Sequence, residues 1–187
     1  MSIKLNGAAS GSVELDVPDA IGSDVSGVLL PTAAGTLDRL ERAGNILQVV
    51  NGETSSQVSI STTSYVDSGL TATITPSSST SKVLVLIDQS CQWTNASGGS
   101  GGIGIRVLRD STIISEPQST SVPLSDYIAS ATQHYFRYTS TILDSPATTS
   151  AVTYKTQGRL AGSASASFQA GSTTKGTSRI VLMEVAG

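Results

Sequence analysis

Residues 178–187, SRIVLMEVAG, decide how the rest of the chain is read. Side chains of an extended strand alternate, so Ile180 and Leu182 fall on one side and Val181, Met183 and Val185 on the other. Both sides are apolar, which predicts a strand sandwiched between layers and not laid on a surface. Burying one Ile or Leu contributes about 1.5–3 kcal/mol, so such a segment is tied firmly into its fold.

Working outward, the preceding chain is a succession of similar β segments. KVLVLIDQSCQW (82–93) is the longest apolar run and is expected at the centre of the sandwich. Upstream of it, ILQVV (46–50) reads as a strand followed by a turn at NGETSS. Val58 and Ile60 alternate next, then Leu70, Ala72 and Ile74 up to Pro76, with SSSTS as a polar loop. Downstream, the glycine-rich SGGSGG (97–102) reads as a flexible hairpin loop into IGIRVLRD, and RDST (109–112) as a hairpin turn into Ile113-Ile114. Residues 115–131 carry two prolines and read as a long crossover or exposed loop. HYFRYTSTIL (134–143) resumes the strands, and Tyr154 and Phe168 lie in the segments leading to the last one. Turn signals recur about every 8–12 residues, and roughly eight to ten strands follow Ile46. That number predicts an all-β, jelly-roll-like antiparallel sandwich over residues 45–187.

Residues 1–44 read as a separate, small β anchoring segment. Ile3 and Leu5 alternate with polar residues, Asn6-Gly7 supplies a turn, and Val13, Leu15 and Val17 alternate again before Pro18. A short strand is expected around 28–30, and one helical turn over 36–43, capped by Thr36 and ended by Gly44. These pieces are too short to make a core, so the segment is expected to dock on other chains.

Composition narrows the function classes. Of 187 residues, 38% are hydrophobic, 13% charged and 4% aromatic, while Ser and Thr exceed a quarter of the chain. Such a lean interior gains stability by packing against copies of itself, which predicts a homo-oligomer. A net charge of −3 with scattered arginines gives no electrostatic reason to expect nucleic-acid binding. No apolar run approaches the roughly 20 residues of a membrane-spanning helix, and no secretory signal is read at the N-terminus. One cysteine, Cys91, excludes an intrachain disulfide.

Chemistry is sparse. Gly99 to Gly104 matches G-x-G-x-x-G, but that fingerprint needs a helix opening at the loop, and a strand pattern follows. Cys91 and His134 are each unique, and reading them as a nucleophile pair requires adjacency and a third, orienting group. The better readings are a small buried hydrophobe for Cys91 and a strand-edge position for His134. Asp16, Asp19 and Asp24 match no calcium loop and read as solvated turns. Nothing singles out a catalytic pair among Asp88, Asp110, Glu116, Asp126 and Asp144. The expectation is therefore no catalytic residue, no metal and no cofactor. Aromatic residues are the remaining lead, because sugar rings stack on their faces. Trp93, beside the glycine run, and Tyr127, in the expected crossover, are the candidate partner or glycan contacts; the Tyr135–Tyr138 cluster reads rather as core or subunit contact.

Two passages carry a resemblance. SIKLNGAASGSVELDVPDAIGS with VLLP resembles an N-terminal module of tail-fibre and other virion proteins of tailed bacteriophages. ILQVV, STTSYVDSGLTATITPSSSTSKVLVLI, IRVLRDSTII and LMEVAG resemble a C-terminal module of such proteins. The resemblance implies a homotrimer, an anchoring part (Ile3, Leu5, Val13, Leu15 and Val17) that engages other virion proteins, and a distal β head. The chain departs from long fibres in lacking a shaft or coiled coil. The expectation is thus a non-enzymatic virion protein assembled in the host cytoplasm: a short trimeric tail fibre contacting a host-surface glycan or protein. The alternatives are a capsid decoration or head-fibre protein and, behind it, a polysaccharide depolymerase.

Overall fold

The structure is a computed structural model that describes residues 3–6, 12–15, 43–95, 99–116, 124–128, 132–162, 165–169 and 176–187. The chain divides into two units, Met1–Leu37 and Asp38–Gly187. In the first, β1 (Ile3–Asn6) and β2 (Ser12–Leu15) form an antiparallel hairpin. Its register sets Ile3 opposite Leu15 and Leu5 opposite Val13, so the apolar members of the two alternating runs share register positions. Val17, Asp16, Asp19, Asp24 and the expected strand at 28–30 lie outside the described residues, as does the expected helical turn at 36–43 except for Ala43, which sits in a turn.

The second unit is an all-β antiparallel sandwich. Its first sheet holds β3 (Ile46–Thr54), β4 (Val58–Ile60), β6 (Lys82–Asn95), β10 (Thr132–Asp144), β12 (Ser165–Phe168) and β13 (Ser178–Val185). The second holds β5 (Val66–Ile74), β7 (Gly99–Arg109), β8 (Thr112–Ser115), β9 (Leu124–Ile128) and β11 (Val152–Gly162). Three strand lines are interrupted and resume in register with the same neighbour. β12 pairs with residues 91–94 of β6 and β13 with residues 82–88; β4 and β3 follow on their far side; β9 and β8 share one edge of β7. Taken as lines, the first sheet runs β3/β4, β13/β12, β6, β10, and the second runs β5, β11, β7, β8/β9. Chain-consecutive lines from β3 to β7 thus alternate between sheets, which is the jelly-roll connection.

β6 is central, as its long apolar run predicts. Every second residue from Val83 to Trp93 points inward: Val85 is 0% exposed, Cys91 1%. The interior has two apolar clusters. One is aliphatic around Tyr154, with Leu70, Ile74, Val85, Ile87, Ile180 and Leu182. The other gathers Ile60, Cys91, Trp93, Ile103, Ile105 and Phe168. Gly158 makes room for the latter, since a Cβ there would lie 2.4 Å from the Phe168 ring. Several buried polar groups satisfy one another within the sandwich. Ser68 and Thr156 hydroxyls are 2.5 Å apart, and Ser178 Oγ accepts from the Ser90 amide at 2.9 Å. The amide orientation of Gln169 that satisfies its neighbours donates to the Ser56 and Ser68 carbonyls and accepts from Ser178 Oγ.

The last strand is inserted between β3 and β6, and Gly44 N–H and Ala186 N–H donate to the Ala186 and Asn45 carbonyls at 2.8 Å each. Its two faces are unequal, correcting the expectation of a strand covered on both sides. Ile180 and Leu182 are 0% exposed, whereas Val181, Met183 and Val185 are half-buried because no further layer among the described residues of this second unit covers that face. Alternation also turns Glu184 inward, 0% exposed.

Three local expectations change. Residues 51–54, read as a turn, continue β3 because Asn51, Gly52 and Glu53 find partners in Val181, Ile180 and Arg179. Gly99 to Gly104 open strand β7 and not a loop, with Gly102 opposite Ala161 on one side and Ser125 on the other. Within 115–131, residues 124–128 are strand β9, formed because β7 extends beyond β8 and leaves its edge free there. The hairpin at 109–112 forms as expected, with Asp110 at φ 52 in the turn.

Candidate functional site

Among the described residues, the outer face of the first sheet carries most of the exposed large hydrophobic side chains, and pairing register sorts its residues into zones. The row Val49, Met183, Leu84, Leu143 crosses all its lines. Val49 is 58% exposed and Leu143 56%, with Ile46 beside them at 48%. The neighbouring row Asn51, Val181, Leu86, Thr141 extends the apolar patch. A charged belt follows. Arg179 Nε meets Glu53 Oε2 at 3.0 Å, Arg137 Nε pairs with Asp88 Oδ1, and Arg137 Nη2 donates to the Thr177 carbonyl at 3.0 Å.

Beyond the belt the face is polar and uncharged. A groove of about 260 Å³ lies between the β4/β12 lines and β6, lined by Gln57, Ser59, Ser61, Gln92, Thr94, Ser165 and Ser167 with Ile60 and Ala166. The Ser167 hydroxyl donates to Gln92 Oε1 at 3.4 Å. Directly opposite Gln92 on β10 stands Tyr135, 62% exposed, its hydroxyl donating to Gln133 Oε1 at 2.9 Å.

The sequence-derived contacts lie elsewhere. Trp93 is 3% exposed and belongs to the second apolar cluster, its indole stacked on the His134 ring at 4.8 Å and 16°. That burial favours the packing alternative for Trp93. Tyr127 lies in β9 with its backbone opposite Ser100. In the 135–138 cluster, Phe136 and Tyr138 pack against the core while Tyr135 faces out, because successive residues of β10 point to opposite sides. Reading HYFRYTSTIL strictly by twos would have separated Tyr135 from its neighbours. Gln92 is reached the same way, as an outward position of β6.

Cys91 and His134 are not paired: Cys91 lies opposite Phe136, and His134 opposite Trp93. Burial pushes the Cys91 thiol up to about 12, so it is an inert hydrophobe in its cluster. The described carboxylates are engaged separately. Asp144 accepts from Arg109 Nη1 and from the Tyr154 hydroxyl, each at 2.7 Å, clamping the two sheets. Glu116 accepts from the Tyr65 hydroxyl at 2.8 Å, and Asp110 from the Thr153 amide at 2.9 Å. Glu184 accepts from Gln48 Nε2 at 2.6 Å and from both the amide and hydroxyl of Ser77 at 2.7 Å. Burial works to raise its carboxyl, but these hydrogen bonds outweigh it and bring the carboxyl down to about 2.

The second sheet presents a different exterior. The Arg106 guanidinium lies 4.0 Å from the Tyr65 ring centre and donates to Gln157 Oε1 at 2.8 Å. Gln157 donates to Asp67 Oδ1 at 2.6 Å, and Lys155 Nζ reaches Asp67 at 3.0 Å. Burial alone would raise the Asp67 carboxyl, yet Gln157 and Lys155 hold it below the usual range. Among the described side chains, Arg106, Asp67 and Lys155 each find a partner within the protomer.

Set against known proteins, the chain matches no family model and no curated protein.

Proposed function

We propose that this chain is a non-enzymatic structural protein of a bacteriophage virion surface, a short homotrimeric fibre whose sandwich heads pack side by side and contact the host. The observation that carries the reading is the apolar row Val49, Met183, Leu84, Leu143 standing on an outer sheet face. A patch that crosses every line of a sheet and is rimmed by charge is built for another protein surface. A second copy is the fitting occupant, because the rim charges Glu53, Arg179, Asp88 and Arg137 are neutralised in pairs within the protomer and so present no net charge to repel a like surface. The resemblance of the sequence to phage virion modules supplies the setting and the threefold order.

In this reading the first unit is the anchor. A two-stranded hairpin is marginal alone, and its strand edges offer backbone donors and acceptors to a virion partner. Weak contacts by each head are then multiplied, because linked sites act at high effective concentration. Immunogold labelling of the particles, with antibody raised against residues 45–187, tests the location. Label at the tail tip supports the fibre; label at capsid threefolds replaces it with the decoration protein. Release of reducing sugar from host polysaccharide by the purified protein would overturn the non-enzymatic reading.

A further inference from the structure

We propose that the uncharged groove between β4, β12 and β6, together with Tyr135 across Gln92, is a binding site for a neutral glycan. The inference rests on the host-contact part of the proposed function and names its ligand class. Sugars are recognised by two features in combination: an aromatic face for the C–H side of the ring, and amides or hydroxyls for its hydroxyl groups. The groove supplies hydroxyls from Ser59, Ser61, Thr94 and Ser167 and the amide of Gln92, and the aromatic ring stands on the adjoining strand. From β12 across β6 to β10 is two strand spacings, about 10 Å, a span that one or two sugar rings fill.

Charge argues for a neutral ligand. Among the described residues, the groove lining contains no ionisable side chain, and the nearest arginine, Arg137, is held by the Asp88 carboxylate and the Thr177 carbonyl. Among the described residues, an acidic sugar would find no free cation there. Tyr135 is the anchor: its hydroxyl is occupied by Gln133, so the contribution left to it is the ring face. The apolar row assigned to the subunit contact lies on the opposite side of the charged belt, so both surfaces can be used at once.

The test is a glycan array of immobilised neutral oligosaccharides ending in glucose, galactose, mannose or N-acetylglucosamine, beside uronic- and sialic-acid-terminated counterparts, probed with the full chain. The expected result is binding to at least one neutral class, weakened about tenfold or more (~1.4 kcal/mol) by Tyr135→Ala and by Gln92→Ala. Tyr135→Phe keeps the ring and should keep binding. Because Tyr135 is largely exposed, its variants should retain wild-type circular dichroism and mass. Binding confined to acidic sugars, binding indifferent to both alanine variants, or no binding by folded wild-type protein overturns the site. None of these outcomes touches the virion location, which immunogold labelling reads independently.

Discussion

The two sheets of the sandwich wear opposite exteriors. On the second sheet, Asp67, Lys155, Gln157 and Arg106 answer one another, and Tyr65 is capped by a guanidinium. On the first sheet, methyl-bearing side chains stand where solvent is expected, a charged belt bounds them, and an uncharged groove lies beyond. A face whose groups satisfy each other has finished its work within the protomer. A face that exposes an apolar row beside a polar groove still has surface to offer a partner. The strand β13 condenses the contrast, with Glu184 inside and Val181, Met183 and Val185 outside.

The largest effect is expected where the unfinished face is spoiled. Val49→Asp combined with Leu143→Asp places charge at two exposed positions, so the protomer should fold while the proposed trimer dissociates at micromolar concentration, read by light scattering. An unchanged mass would move the subunit contact elsewhere. Next comes the inverted strand. Glu184→Ala strands the Ser77 amide and the Gln48 amide group, and should cost about 2 kcal/mol or more in urea unfolding.

The same carboxylate sets an acid limit. Its folded value, about 2, lies below the unfolded value of 4.5, so its stabilisation is present above pH 4.5 and is lost as pH falls towards 2. Unfolding midpoints should therefore drop across that window in wild type, and less so in Glu184→Gln. The smallest effect belongs to the finished face. Gln157→Ala should change stability by less than about 1 kcal/mol and leave the mass unaltered.

Much of the fold was legible because the signals were local. The long apolar run at 82–93 placed β6 in the centre, and the closing SRIVLMEVAG marked β13 as a strand tied into the fold. What escaped depended on partners distant in sequence. Glycine-rich 99–104 looks like a loop until β11 and β9 pair with it on both sides. Residues 51–54 look like a turn until β13 extends them. Of the site, aromatic character was visible and its direction was not: Trp93 faces His134 inside, while Tyr135 faces out. The groove joins Ser59, Gln92 and Ser167, which only sheet topology brings together.

That copies of this chain cover the apolar row can be read from the mass in solution. Multi-angle light scattering of the purified protein at micromolar concentration should give a trimer of three 19.1-kDa chains, about 57 kDa. A folded species at 19.1 kDa, with the row left bare, would contradict it.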